Sequence, residues 1–279
     1  MIPDNKTNTL FLADCLKTRH PKFFAEFETV LKKCNISFQL LPDTKDIWAV
    51  DFMPIQVSLN NFIQFVYNPD YLQSKKWISS ISNVDSICDK IKFKRSKSDI
   101  VLDGGNVTKT TDKVIMCDKI FFENPQYSRR QLTNKLREIF EIDKLYFVPQ
   151  QPKDFTGHAD GMVRFLDNNT VIVNDYSQEN KDFQRAFKIA LDNAGLDYIT
   201  IPYNPYGNKT SGQANGDYIN FLQMQNTVVI PTFGIKEDDI AVRQFEELYK
   251  GQTIATIDSN EIADNGGILN CITWNIWTA

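Results

Sequence analysis

The sequence predicts an α/β fold in which five similar units close into a propeller-like ring with five-fold pseudo-symmetry, one domain spanning residues 1–279. Two observations carry this expectation. A helical stretch leads into a strand-like stretch five times along the chain, and each of those strands is followed by a short polar or glycine-containing motif. In the first four copies a hairpin comes next. A repeat of strand, strand, helix and strand cannot bury its apolar face alone, so the copies must pack around a common axis. With 42% hydrophobic residues and 20 Phe, the chain carries enough apolar surface for such a core, and no Pro/Gly/Ser-rich linker divides it.

The elements follow in order. Residues 20–34, "HPKFFAEFETVLKKC", place apolar side chains at helical spacing before "ISFQLLP", which is rich in strand-favouring residues. "VDSICDKIKFK" before "SDIVL" is the weakest copy. "SRRQLTNKLREIF" precedes "KLYFVP", and "KDFQRAFKIALDNAG", with Gly195 as its C-cap, precedes "DYITIPY". The last copy is "DDIAVRQFEELYKG" before "TIATID". Hairpin turns are expected in "SLNNF", "TKTTDK", "LDNNT" and "MQNT", each supplying the Asn or Asp that tight turns favour.

Charge and composition exclude several classes. A net charge of -4, with no basic stripe, argues against nucleic acid or an anionic membrane as partner and is compatible with a small cationic substrate. The apolar core of the N-terminal stretch is too short for a secretion signal or membrane span, which predicts a cytoplasmic protein. The five cysteines lack any C-x-x-C pair, so neither a disulfide framework nor a metal site is expected.

The five motifs are "DIWAVDFMPIQ", "LDGGNV", "TGHADGMVRF", "QANGDYINF" and "NGGILNCITW". Equivalent positions around a ring face the same end of its axis, so Asp51, Asp103, His158, Asp160, Asn220 and Cys271 should converge on one pocket, with Trp48 on its wall. Each has a plainer local reading. Cys271 reads as a small buried apolar residue, Asp103 as a turn aspartate before Gly, Trp48 as a core tryptophan, and Asn220 as part of a loop. Asp51, inside "IWAVDFMPI", must face solvent from a strand or be buried with a partner. His20 lies in a helix entry, leaving His158 as the basic partner in the motifs.

One thiol, one imidazole and two or three carboxylates, without metal-ligand spacing, suit a nucleophile, a general acid/base and anionic binding groups. Carboxylates around a thiolate blunt it toward neutral amides but hold a planar cation by paired N–H···O bonds, the geometry a guanidinium offers. The electrophile expected from the residues is therefore a guanidinium carbon.

On these same motifs, from "FLADC" to "CITW", the chain resembles the agmatine deiminase and Porphyromonas-type peptidyl-arginine deiminase family of the guanidine-modifying pentein superfamily. The resemblance implies a five-fold α/β propeller and a hydrolase of linear amidines that needs neither metal nor cofactor. It also implies that Cys271 attacks the guanidinium carbon while Asp103 and Asp160 hold the guanidinium nitrogens. Asp51, with Trp48 and Asn220, helps to bind the substrate. His158 protonates the departing ammonia and then activates water. The glycines before Cys271 are expected to let backbone pass close to the planar substrate. The chain departs from its relatives at Val50, Asp103 and Asn270, where Arg, Glu and His are common, which bears on substrate rather than on chemistry. The expected substrate is agmatine, giving N-carbamoylputrescine as in putrescine biosynthesis, with peptidyl arginine as the alternative. A non-catalytic guanidine-binding protein is the alternative from another class, and a homo-oligomer is compatible with the sequence.

Overall fold

The computed structural model describes residues 1–279. Fifteen strands form five separate three-stranded sheets. In chain order they are β1 (Thr9–Ala13), β2 (Phe38–Leu41), β3 (Ile55–Ser58), β4 (Asn61–Val66), β5 (Ser96–Val101), β6 (Thr108–Lys109), β7 (Lys113–Cys117) and β8 (Lys144–Val148). The second half contributes β9 (Val163–Phe165), β10 (Thr170–Asn174), β11 (Asp197–Ile201), β12 (Leu222–Met224), β13 (Thr227–Thr232), β14 (Thr253–Asp258) and β15 (Thr273–Ile276).

Every sheet is built the same way. The central strand pairs antiparallel with one neighbour and parallel with the strand reached through a helix, as in β10 with β9 and β11. The crossover is long enough for a helix because parallel pairing demands it. The central strands β1, β7, β10 and β13 are buried along almost their whole length, β7 entirely so from Lys113 to Cys117, while β4 ends at the exposed Val66; burial on both faces explains the near-continuous apolar runs of the four.

The crossover helices present one apolar stripe each. Phe23, Phe24, Phe27 and Leu31 are buried on the helix Pro21–Lys33; Leu132, Leu136 and Phe140 on Arg129–Phe140; Phe183, Phe187 and Leu191 on Lys181–Ala194. A capping box between Ser128 and Gln131 starts the third, and Gly195 at φ 63° ends the fourth as expected. The weak second copy is a short helix, Val84–Lys90, closed at Lys92 with φ 55°.

The first sheet joins the two ends of the chain: β15 pairs with β1 from Thr9↔Ile276 to Leu12↔Thr273, so no hairpin is needed in that copy. Trp274 fastens this closure. Its ring lies 4.9 Å from Phe11 and 5.0 Å from Phe93, and its Nε1–H donates to the Pro54 carbonyl at 2.9 Å.

The motif segments connect each sheet to the next. Three of them make a one-turn helix at the equivalent place: the α-helical turn Ala49–Phe52 carrying Asp51, and the 3-10 turns Gly104–Asn106 just after Asp103 and Ala159–Gly161 carrying Asp160 just after His158. Asp51 is thus on a buried helical turn rather than a strand.

If Trp274 locks the ring, Trp274→Ala should cost about 3–5 kcal/mol of unfolding free energy in a denaturant titration. Phe122, 75% exposed, is the control; Phe122→Ala should stay within about 0.5 kcal/mol.

Candidate active site

Cys271, Asp160, His158, Asp51 and Asp103 meet at one end of the ring, as the repeat predicts. All five are buried. His158 is the hub. Its Nε2–H donates to Asp103 Oδ2 at 3.1 Å, and its Nδ1 lies 3.5 Å from Asp51 Oδ1. Burial opposes a charged imidazole, but the carboxylate of Asp51 and then that of Asp103 outweigh it and push the His158 pKa up to about 10.

Asp51 also accepts the Gly105 N–H at 3.1 Å; burial raises its carboxyl to about 8 despite the facing imidazole. The two glycines of "DGGN" are required by this crowding. A Cβ on Gly105 would lie 2.6 Å from Asp51 Oδ1 and 2.7 Å from His158 Nδ1, and one on Gly104 would lie 2.0 Å from the Val50 carbonyl oxygen.

Asp103 is divided between two tasks. Its Oδ2 accepts from His158 and, at 3.0 Å, from the Tyr71 hydroxyl, while its Oδ1 is buried with no partner. An orphaned carboxylate oxygen beside an imidazolium is an acceptor awaiting an N–H donor. Tyr71, in "NPDYLQ", lies outside the five motifs, and no repeat-based reading could have found it.

The thiol sits against Asp160, with Cys271 Sγ 3.7 Å from Asp160 Oδ2. That same oxygen accepts from the Asn270 amide at 2.6 Å. Burial first, then the charges of Asp160 and Asp51, raise the Cys271 pKa well above that of a free thiol. Burial raises the carboxyl of Asp160 as well.

Asn220 braces the nucleophile's backbone. Its Oδ1 accepts the Cys271 N–H and its carbonyl accepts the Asn270 N–H, both at 3.2 Å. The glycines before Cys271 line both cavities and are also crowded by neighbours within the protein. A Cβ on Gly267 would lie 2.6 Å from the Trp48 ring and 3.0 Å from Cys271 Cβ, and Gly266, at φ 103°, would bring one 2.9 Å from the Gly212 carbonyl oxygen. Trp48 does both things expected of it: it packs on the core and lines the cavity wall.

Two cavities open onto the Cys271–His158 pair. One, about 390 Å³, is bounded by Asp160, Asp217, Met162 and Tyr203. The other, about 470 Å³, is bounded by Asp51, Trp48, Tyr71, Trp77 and Lys76. Lys119 ties their shared rim together, donating to the carbonyls of Phe155 at 3.2 Å and Thr156 at 2.9 Å while pairing with Asp70 at 2.7 Å. No trio of His, Cys, Asp and Glu side chains is grouped so as to hold a metal ion.

Three buried carboxyl groups thus stand around one imidazole, and burial raises those of Asp51 and Asp160 toward their protonated form. Such a site is short of positive charge, and a planar cation between Asp160, Asp51 and the free oxygen of Asp103 would complete it.

The known proteins that the chain is similar to fit this picture. The sequence model of the Porphyromonas-type peptidyl-arginine deiminase family matches residues 16–276. A Streptococcus mutans protein named "Putative agmatine deiminase" is 22% identical over 87% of this chain and 72% of its own length; one of the same name from Mycoplasma capricolum is 23% identical over 71% and 63%. The chain therefore spans 63% to 72% of these relatives' lengths. Among solved structures, the agmatine deiminase of C. jejuni superimposes with a TM-score of 0.80 at 20% identity, covering 100% of this chain and 96% of its own. DDAH from Pseudomonas aeruginosa gives 0.59 at 11% identity, covering 97% and 99%. These likenesses establish the pentein fold.

The raised thiol pKa predicts slow alkylation of Cys271 by iodoacetamide at pH 7. Asp160→Asn removes the nearest negative charge while keeping the side chain's shape, so alkylation should accelerate about tenfold for each unit by which the thiol pKa falls. Peptide mass spectrometry reads the rate.

Proposed function

The chain belongs to the Porphyromonas-type peptidyl-arginine deiminase family, and from that premise we propose that it is a guanidine deiminase acting on agmatine to give N-carbamoylputrescine and ammonia. The observation that carries the reading is the excess of buried carboxylate around a thiol and an imidazolium, Asp160 at 3.7 Å from Cys271 Sγ and Asp103 at 3.1 Å from His158 Nε2.

Each group then has a role. The guanidinium is held between Asp51 and Asp160, and the free Oδ1 of Asp103 accepts a further N–H. The cation relieves the charge excess that keeps the thiol protonated, so substrate binding itself favours the thiolate, the thiol proton passing to solvent through the open cavity. Cys271 attacks the guanidinium carbon, and the C–N bond to one terminal nitrogen breaks after His158 protonates that nitrogen. Ammonia leaves and a covalent amidino-thioether remains. Water, deprotonated by the now neutral His158, adds to the same carbon and expels the thiolate, leaving the ureido product. Asp103 and Tyr71 orient the imidazole, while Asn220 and Gly267 orient the thiol. The five free cysteines suit a reducing, cytoplasmic setting.

A second reading has one observation in its favour. Arg19, Lys45 and Lys76 line the larger cavity, and these would suit a carboxylate carried on arginine or on a peptide. A panel of agmatine, arginine and arginyl peptides, assayed for ammonia and ureido product, separates the two.

Cys271→Ala should abolish turnover yet retain agmatine binding by calorimetry. His158→Ala should accumulate the thioether, seen as a mass increase on Cys271. In the pH profile, kcat/KM should form a bell: activity falls below about 8 as Asp51 takes up a proton and above about 10 as His158 loses one. The two limbs belong to the coupled cluster as a whole. Activity that persisted in Cys271→Ala would rule the mechanism out.

A further inference from the structure

The smaller cavity holds a carboxylate that the reaction does not use. Asp217 lies in "NGDYINF", where it bridges to Tyr203 at the end of the fourth sheet. Its Oδ1 accepts the Ile219 N–H at 2.9 Å. Its Oδ2 is the one atom within 4 Å of the position a Cβ would take on Gly161, at 3.5 Å. Because Gly161 has no side chain, nothing from that residue screens Oδ2, and Gly161 directly follows Asp160.

Asp217, Asp160, His158 and Cys271 line the same cavity of about 390 Å³. Burial, and next to it the charges of Asp160 and Asp154, hold the Asp217 carboxyl at about 8; the groups that favour its charge are the Ile219 N–H and the Asn174 amide, neither of them a cation. The cavity's two lysines, Lys153 and Lys209, are exposed at its rim. Asp154 is already committed, one oxygen to the Thr156 N–H and hydroxyl and the other to the Gly157 N–H. The opposite cavity carries three cations at its exposed rim, Arg19, Lys45 and Lys76, together with Asp46 and Asp51.

We propose that Asp217 is a specificity-determining residue that receives a second cationic group, a primary ammonium at the far end of the substrate's alkyl arm. The preferred substrate is then a dication, guanidinium at one end and amine at the other. This rests on the deiminase reading above and assigns its selectivity to one side chain.

The test compares agmatine with n-butylguanidine, which has the same four-carbon arm and no amine. The wild-type chain should prefer agmatine in kcat/KM by at least about tenfold, the value of a charge-assisted hydrogen bond. In Asp217→Asn the agmatine-to-butylguanidine ratio should fall roughly ten- to a hundredfold, through the KM for agmatine. Asp217→Ser supplies the same comparison if the amide disturbs the loop. Equal kcat/KM for the two compounds in the wild type, or an unchanged ratio in both variants, overturns the assignment while the deiminase reading stands. Turnover of neither compound, with no adduct on Cys271, overturns both.

Discussion

The site depends on a single clamp, the His158 imidazolium held between Asp51 and Asp103, at 3.5 and 3.1 Å. Three consecutive repeats each contribute one member. Because each member sits on or beside a one-turn helix at the equivalent place in its own copy, the pseudo-symmetry of the ring brings together groups that lie more than fifty residues apart in the chain. Buried charges of this kind persist only when each is partnered, and the partnering here leaves no room for any side chain at Gly104 or Gly105.

The clamp also sets the chemistry. The carboxylates around the imidazole raise its pKa, and burial with Asp160 raises that of the thiol, so both hold their protons. Neither group is poised alone. In the proposed reaction a guanidinium supplies the missing charge and is the electrophile too, so binding and activation become the same event. Neutral amides bring no such charge, which gives a physical basis for selectivity without a shape filter.

The rest of the fold exists to hold the motif turns in register. Four of the five central strands are buried along almost their whole length, and the antiparallel pairing of β15 with β1 closes the ring two residues beyond Cys271. Thr273, at the start of that closing strand, returns its hydroxyl to the carbonyls of Leu269 and Asn270 at 3.0 and 3.1 Å. The nucleophile is therefore anchored to the ring's seam, and stability of the closure and geometry of the thiol are tied together.

The number and order of elements, the turns, and the convergence of Asp51, Asp103, His158, Asp160 and Cys271 are determined by the sequence alone, because a repeat that buries its face only against its copies places equivalent residues equivalently. What each residue touches was decided in three dimensions. Asp103 turned out to serve His158 with one oxygen while leaving the other free, Asn220 to hold the Cys271 backbone, and Gly267 to make room for Trp48. Tyr71 entered the site only through the packing of the segment after β4, and Asp217, though inside the fourth motif, was singled out only by the cavity it lines. Local sequence encodes periodicity and turn chemistry, which are short-range; hydrogen-bond partners across repeats depend on how far each loop reaches over the axis, and that distance is set only when the ring has closed.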